Sequence, residues 1–394
     1  MRYAFRKQTM IWLGILMAAV VSIIPQMAQA QGESAVPFLL IAPNARNDAM
    51  GESGAGISDD ASAVFWNPAG LAFQRGQEIS LTHSNWLPQF QQSDLFYDYF
   101  VYKNYMPDID GTVSASITYL NLGEFAITTT SPDVIGTFKA YEVAITAGYA
   151  TTLTSELGLG LNLRYIRSVL APYNVQGQGR EGIASAPAFD VSVLWKPTNL
   201  AGMGDMLTIG ANLQNLGPKM TYIDEAQADP LPTNIRLGFG IKAIKSDFNN
   251  LTVNIDFDRL LVRRYPSAID SSYIDLQTGD TVFTYSDPRV DNLPKSLVTA
   301  WGDGGLRKVD ISGGIEYWYG APKLLALRFG YFYEDPNYGN RKFMTFGAGI
   351  RYDMYGFDFS YLSAIEENSP LANTLRFSLQ IAWGQPSTET TTQQ

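Results

Sequence analysis

The chain contains no cysteine and a single histidine, His83. Without thiols there is no disulfide framework and no thiolate site for a metal or a redox couple. A Ser-His-Asp relay would have to run through His83. That residue is expected on the strand face opposite Leu81, as a lumen or rim side chain and not as a base. His-Glu-x-x-His, Gly-x-Ser-x-Gly and phosphate-loop patterns are missing, as is calcium-loop spacing of acids. No catalytic residue, metal site or cofactor is therefore assigned. Charge is also sparse: 17% of the 394 residues are charged, against about 25% in soluble proteins. With 28 basic and 38 acidic residues the net charge is -10, which argues against nucleic acid as a partner, since that needs clustered Lys and Arg. After residue 30 no segment holds the roughly 20 apolar residues of a membrane helix.

The first 30 residues read as an export address. Arg2, Arg6 and Lys7 precede an apolar stretch from Met10 to Ile24, and Ala28-Gln29-Ala30 forms a small-x-small cleavage site. Cleavage is expected after Ala30, and because Gln31 is not cysteine no lipoprotein anchor is expected. A mature chain without membrane helices either stays soluble or spans as strands.

What is abundant points to strands. Aromatics reach 13%, with 22 Tyr and 21 Phe, and there are 35 Gly. Leu157, Leu159, Leu161, Leu163 and Tyr165 alternate with Gly158, Gly160, Asn162 and Arg164, and the same period recurs over 207–214, 251–258 and 375–381. Such alternation suits strands with one face to lipid and one to a lumen, although a soluble sandwich shows the same period. About fourteen strands are predicted, at 78–86, 95–104, 112–121, 141–152, 156–168, 186–196, 206–215, 233–244, 249–261, 308–319, 323–334, 342–353, 355–363 and 373–383. The connections between them alternate long and short. Those at 122–140, 169–185, 216–232 and 262–307 are long, whereas 153–155, 245–248, 320–322 and Met354 are short. A barrel with long outer loops and short periplasmic turns has this pattern, and a sandwich has no reason for it. Trp86, Tyr165, Trp195, Tyr319, Tyr333, Tyr352, Tyr361 and Trp383 fall near the expected strand ends, where aromatic rings sit at the headgroup level. The expected fold is all-β: a transmembrane antiparallel barrel over 78–383 in outer-membrane lipid, with a short tail at 384–394.

The inward face carries Arg164, Asp190, Arg236, Asp256, Glu316, Arg328, Arg351 and Arg376. Ionised groups there need partners or water. They read either as a selectivity lining or as a cross-strand ion-pair network that fills the barrel, and the recurrence of both signs favours the network. Residues 31–77 are rich in small and turn-forming residues and too few for a core of their own. Phe65-Trp66 and Phe38-Leu39-Leu40-Ile41 are too apolar for a disordered leader. The segment is expected to plug the lumen as a hatch, with Trp66 as anchor and Asn67, Pro68 and Ala69 forming a fixed turn.

The run Asp60-Ala61-Ser62-Ala63-Val64 with Asn67-Pro68-Ala69 resembles the hatch of the FadL-type outer-membrane family. Closer is the PorV branch of the type IX secretion system. Phe38-Leu39-Leu40-Ile41-Ala42-Pro43-Asn44-Ala45-Arg46 with Met50-Gly51 is similar to its leading segment. Leu120-Asn121-Leu122-Gly123-Glu124 and Gln214-Asn215-Leu216-Gly217-Pro218-Lys219 resemble two of its hairpins. Nearly the whole mature chain is covered. The resemblance implies a fourteen-stranded barrel with an N-terminal hatch. It also implies recognition of the C-terminal signal domains of secreted cargo, association with a large translocon barrel, and transfer to a surface attachment complex. On that reading the outer loop 262–307 supplies a cargo interface through Tyr265, Tyr273, Phe283 and Tyr285. The alternative is a channel for long-chain fatty acids or other hydrophobic small molecules, gated by the hatch. A surface enzyme is the weakest reading. Many such barrels end on an aromatic, whereas Gly384 to Gln394 follow Trp383 here.

Overall fold

Successive side chains on a pleated strand point to opposite faces, so the alternation acquires meaning only once it is known which face is buried. The structure is a computed structural model. It describes residues 34–384 apart from 91–94, 129–132, 172–180, 224–227, 266–268, 275–280 and 286–288. The export segment at 1–30 and the tail from 385 onward lie outside the described residues.

The wall begins with β1 (Gln77–Asn85), β2 (Phe96–Met106), β3 (Gly111–Thr128), β4 (Val134–Thr152) and β5 (Leu157–Ala171). It continues with β6 (Gly182–Trp195), β7 (Leu207–Leu216), β8 (Asn234–Lys245) and β9 (Asn249–Leu260). The chain then leaves the wall for β10 (Arg264–Tyr265), β11 (Ile269–Ile274), β12 (Thr281–Tyr285) and β13 (Arg289–Val290). It returns as β14 (Asp310–Tyr319), β15 (Leu325–Tyr333), β16 (Lys342–Tyr352), β17 (Tyr355–Ala364) and β18 (Thr374–Trp383). Each wall strand pairs antiparallel with its neighbours, and β1 closes on β18 from Gln77 opposite Trp383 to Ser84 opposite Arg376. The result is a sealed barrel of fourteen strands, each of those expected from the alternation.

Burial is inverted relative to a soluble protein. Ser80, Thr82, Ser84, Lys103, Asp190 and Arg376 are buried on the inward face, while Leu81, Leu163, Leu327 and Leu379 are exposed on the outer one. Leu163 is 66% exposed and Arg376 0%. Water would not tolerate that apolar cylinder, but lipid would, and a closed ladder lets the peptide groups at membrane depth pair with one another. The short connections 107–110, 153–156, 246–248, 320–324 and 353–354 share the end that holds Gln77 and Trp383, which is therefore the periplasmic rim.

Three expectations need correction. Most of the outer connection expected at 122–140 is strand: β3 runs to Thr128 and β4 starts at Val134. Gly123, Glu124 and Gly136 interrupt the alternation there, yet a strand that has left the lipid has no need of an apolar outer face. The ladder also slips between Asn121 and Gly123. The expected 169–185 loop shrinks likewise, because β5 reaches Ala171 and β6 starts at Gly182, which leaves Tyr165 within the strand. His83 faces outward with Leu81, since residues two apart share a face. Its Nδ1 lies 2.7 Å from an Asp98 carboxylate oxygen on β2.

Leu163→Arg should destabilise the barrel by about 2–4 kcal/mol, the cost of a cation near the bilayer midplane. Denaturant unfolding from lipid vesicles measures this, and a shift near zero would mean that this face does not meet lipid.

Candidate functional site

From Val36 to Phe73 the chain forms short helical turns at Pro37–Leu40, Ala45–Asp48, Ala63–Trp66 and Pro68–Phe73. Such turns leave many peptide groups without helical partners, so the segment depends on what surrounds it. Its small residues Ala45, Ala49, Ala55, Ala61, Ala63 and Ala69 are all buried. It sweeps around the inside of the wall, touching β16–β18, then β14 and β15, then β7–β9, then β5 and β6. The wall admits its backbone through inward-facing glycines. A Cβ on Gly330 would meet the Gly51 nitrogen at 1.9 Å, and one on Gly160 the Ala69 nitrogen at 2.2 Å. These glycines are needed for contact and not for an unusual backbone angle.

Wall side chains supply the missing hydrogen bonds. Asp256 accepts from the Gly54 and Ala55 amides at 2.7 and 2.8 Å. The Asn162 amide donates to the Val64 carbonyl at 2.8 Å, and Asn212 to the Trp66 carbonyl at 3.0 Å. Asn67 donates to the Val193 carbonyl at 3.0 Å, and the Ala69 amide donates to Ser192 Oγ at 2.9 Å. Pro68 opens the last turn. The Trp66 indole donates to Asn44 at 2.8 Å while the Arg236 guanidinium lies 4.7 Å from its ring.

Charge ties the two parts together more strongly. Arg46 reaches Asp59 at 2.5 Å, Asp60 at 2.8 Å and Glu316 on β14 at 2.7 Å. Glu316 pairs onward with Arg328 at 2.7 Å, Arg328 with Asp358 at 2.8 Å, and Asp358 with Arg351 at 2.6 Å. The relay runs from the N-terminal segment through β14, β15, β17 and β16. A second tie joins Arg376 to Asp48 at 2.8 Å, both fully buried, with Arg376 also donating to the Ala42 carbonyl at 2.6 Å. Arg164 pairs with Asp190 at 2.8 Å, and Arg236 with Asp258 at 2.5 Å. Desolvation acts to raise the half-exposed Asp59 carboxyl, but the Arg46 and Lys323 charges and the hydrogen bond from Arg46 together hold it below the usual carboxylate range.

The inward charges predicted from the alternation are thus brought together as ion pairs, apart from Asp256, which accepts from the Gly54 and Ala55 amides. Their partners in the N-terminal segment, Arg46, Asp48, Asp59 and Asp60, escaped sequence reasoning, because turns of four residues have no periodicity to give them a face. The available signal was charge in a segment already expected to be buried, since buried ions need partners. Among the outer-loop aromatics, Tyr265 donates to Asp291 at 3.1 Å, and its ring meets the guanidiniums of Arg263 at 4.8 Å and Arg289 at 4.5 Å. Tyr273, Phe283 and Tyr285 fall on the β11–β12 hairpin, opposite Val282, Ser272 and Ile269.

The sequence matches the family described as Type IX secretion system protein PorV over residues 25–267, more than half of the chain. Among curated proteins none matches. One solved structure shows the same fold, and two others are similar at lower scores. The toluene transporter TbuX of Ralstonia pickettii is 14% identical with a TM-score of 0.51, covering 86% of this chain and 98% of its own. A Pseudomonas aeruginosa FadL homologue is 12% identical with a TM-score of 0.47, covering 86% and 98%. The Pseudomonas putida toluene transporter TodX is 13% identical with a TM-score of 0.46, covering 91% and 98%. The barrel and the family together place the protein in a Gram-negative outer membrane.

Arg46→Ala would leave the buried Asp60 without its ion-pair partner and Glu316 with Arg328 alone, and should loosen the N-terminal segment by about 3–5 kcal/mol, as for other broken buried pairs. Planar-bilayer recordings should then show openings that the unaltered protein lacks. The depressed Asp59 carboxyl contributes stability that is present above its unfolded value of about 3.9 and is lost as pH falls through the lower folded value. Hydrogen exchange over 45–66, corrected for intrinsic rates, should therefore speed up below about pH 4, and Asp59→Asn should reduce that acid response.

Proposed function

The chain belongs to the Type IX secretion system protein PorV family, and from that premise we propose that it recognises the C-terminal signal domains of secreted cargo. It receives them from the translocon barrel and passes them to the surface attachment machinery. Residues 31–77 act as a hatch that keeps the lumen shut, and binding takes place at the outer rim. The observation that supports this reading is the N-terminal segment held against the inside of the wall. The Arg46–Glu316 and Arg376–Asp48 pairs and the glycine contacts hold the N-terminal segment against the wall. A barrel filled in this way offers its loops, not a pore. The connection from β9 to β14 supports the reading as well, because it carries two small sheets and a helix, Leu293–Thr299, beyond the wall. The lumen charges act as the structural bond between hatch and wall, and no catalytic step is assigned to them.

The competing reading is a channel for long-chain fatty acids or other hydrophobic molecules, as the toluene transporter TbuX of the same fold suggests. In a strain lacking the gene, cargo should accumulate in the periplasm and vanish from the surface. A chain in which Tyr273 and Phe283 are both changed to Ala should reach the outer membrane at normal levels yet restore surface cargo several-fold less well. Normal cargo display with lost uptake of hydrophobic substrates would support the channel instead.

A further inference from the structure

At the periplasmic mouth a cavity of about 210 Å³ opens between the N-terminal segment and the ends of β6, β8 and β9 and the turn after β14. Five cations line it, Arg46, Lys196, Lys242, Lys245 and Lys323, against one carboxylate, Asp59. In a chain of net charge -10 this is a local reversal of sign. Not all of that positive charge is spoken for. Arg46 is taken up by Asp59, Asp60 and Glu316, and Lys245 pairs with Asp205 at 2.6 Å. The other three lysines have no carboxylate within ion-pair distance among the described residues. Lys196 instead lies 4.2 Å from the Phe73 ring, and Lys323 5.6 Å from that of Trp318. Burial lowers the Lys196 ammonium, with Asp59 opposing and Lys242 adding to the shift. Three ammonium groups around one hollow repel each other, and an anion in the hollow would remove that repulsion.

We infer that this mouth pocket receives an acidic side chain of a peptide segment from a periplasmic protein partner. The proposal rests on the orientation of the barrel and not on the cargo reading. Lipid headgroups are poorly placed to fill the site, because Leu194 and Gly240, which line it, belong to the inward face of the wall. Ile57, Leu194 and Ile244 give it apolar walls beside the ammonium groups, which suits the methylenes of Glu or Asp better than a naked phosphate. Lysine is a mobile point charge without the fixed fork of arginine, so a flexible acidic segment can be met from several sides. An incoming carboxylate would also compete with Asp59 for Arg46, and docking would then be felt by the segment that closes the lumen.

The test uses the full chain in nanodiscs with a fluorescein-labelled hexaglutamate peptide, read by anisotropy. Binding should weaken with salt. Lys196→Gln combined with Lys242→Gln should cut affinity by about tenfold or more, as the loss of charge-assisted contacts implies. Lys242→Arg keeps the charge and should bind close to normally, which guards against a folding artefact in the double variant. A hexaglutamine peptide should not bind. Equal affinity in the double variant would overturn the proposal. So would inorganic phosphate displacing the peptide at equal charge concentration, which would mark a small-anion site only. In intact cells the peptide should fail to bind from outside, and surface labelling abolished by the double variant would put the pocket at the wrong rim.

Discussion

A peptide group inside hydrocarbon can satisfy its N–H and C=O only with other peptide groups. Every other feature of this molecule answers to that constraint. It demands closure, which the β1–β18 ladder provides. Closure then sorts the side chains, because each strand must send one set to lipid and the other inward. The lipid set can be filled with leucine and phenylalanine at no cost. The inward set is left with a volume that neither lipid nor bulk water fills, and here polar and ionised groups occupy it.

Those groups would be a liability alone. Moving an ion out of water costs several kcal/mol even after relaxation, and the wall cannot neutralise itself completely: Arg376 depends on Asp48 from the N-terminal segment, while Glu316 is shared between Arg328 of the wall and Arg46. That segment in turn cannot satisfy its own backbone, and Asp256, Asn162 and Asn212 do so for it. Each part completes the other, and the inward glycines let them approach to backbone contact. Barrel and N-terminal segment are for this reason bound to each other by charge and by backbone contact.

Much of this was legible from the residues. Period-two alternation located all fourteen wall strands, because the lipid face penalises any polar intrusion and so writes a strong pattern. Where that penalty ends the pattern ends too, which is why the upper parts of β3 and β4 read as loop. Gly158 and Gly160 read as part of the face that alternates with the leucines, but the partner of Gly160, the Ala69 backbone, lies about ninety positions earlier and leaves no local trace. Arg46 and Asp48 were equally silent: their roles depend on three-dimensional proximity to Glu316 and Arg376. His83 was assigned to the wrong face by a slip of parity, and its pairing with Asp98 belongs to the outside of the wall.

The β3–β4 hairpin has 18 and 19 residues in its two strands, roughly double the 9–11 that a bilayer crossing uses. β2 accompanies β3 only as far as Asn121, and β5 accompanies β4 only from Tyr141. Above those points neither outer edge of the hairpin has a strand partner among the described residues. Bare edges invite foreign strands, and proteins blunt them with bulges and charge. The slips after Asn121 and Ile127, together with Glu124 and Lys139, supply both. The mast can therefore rise well clear of the lipid without becoming a seed for edge-to-edge polymerisation among its crowded neighbours.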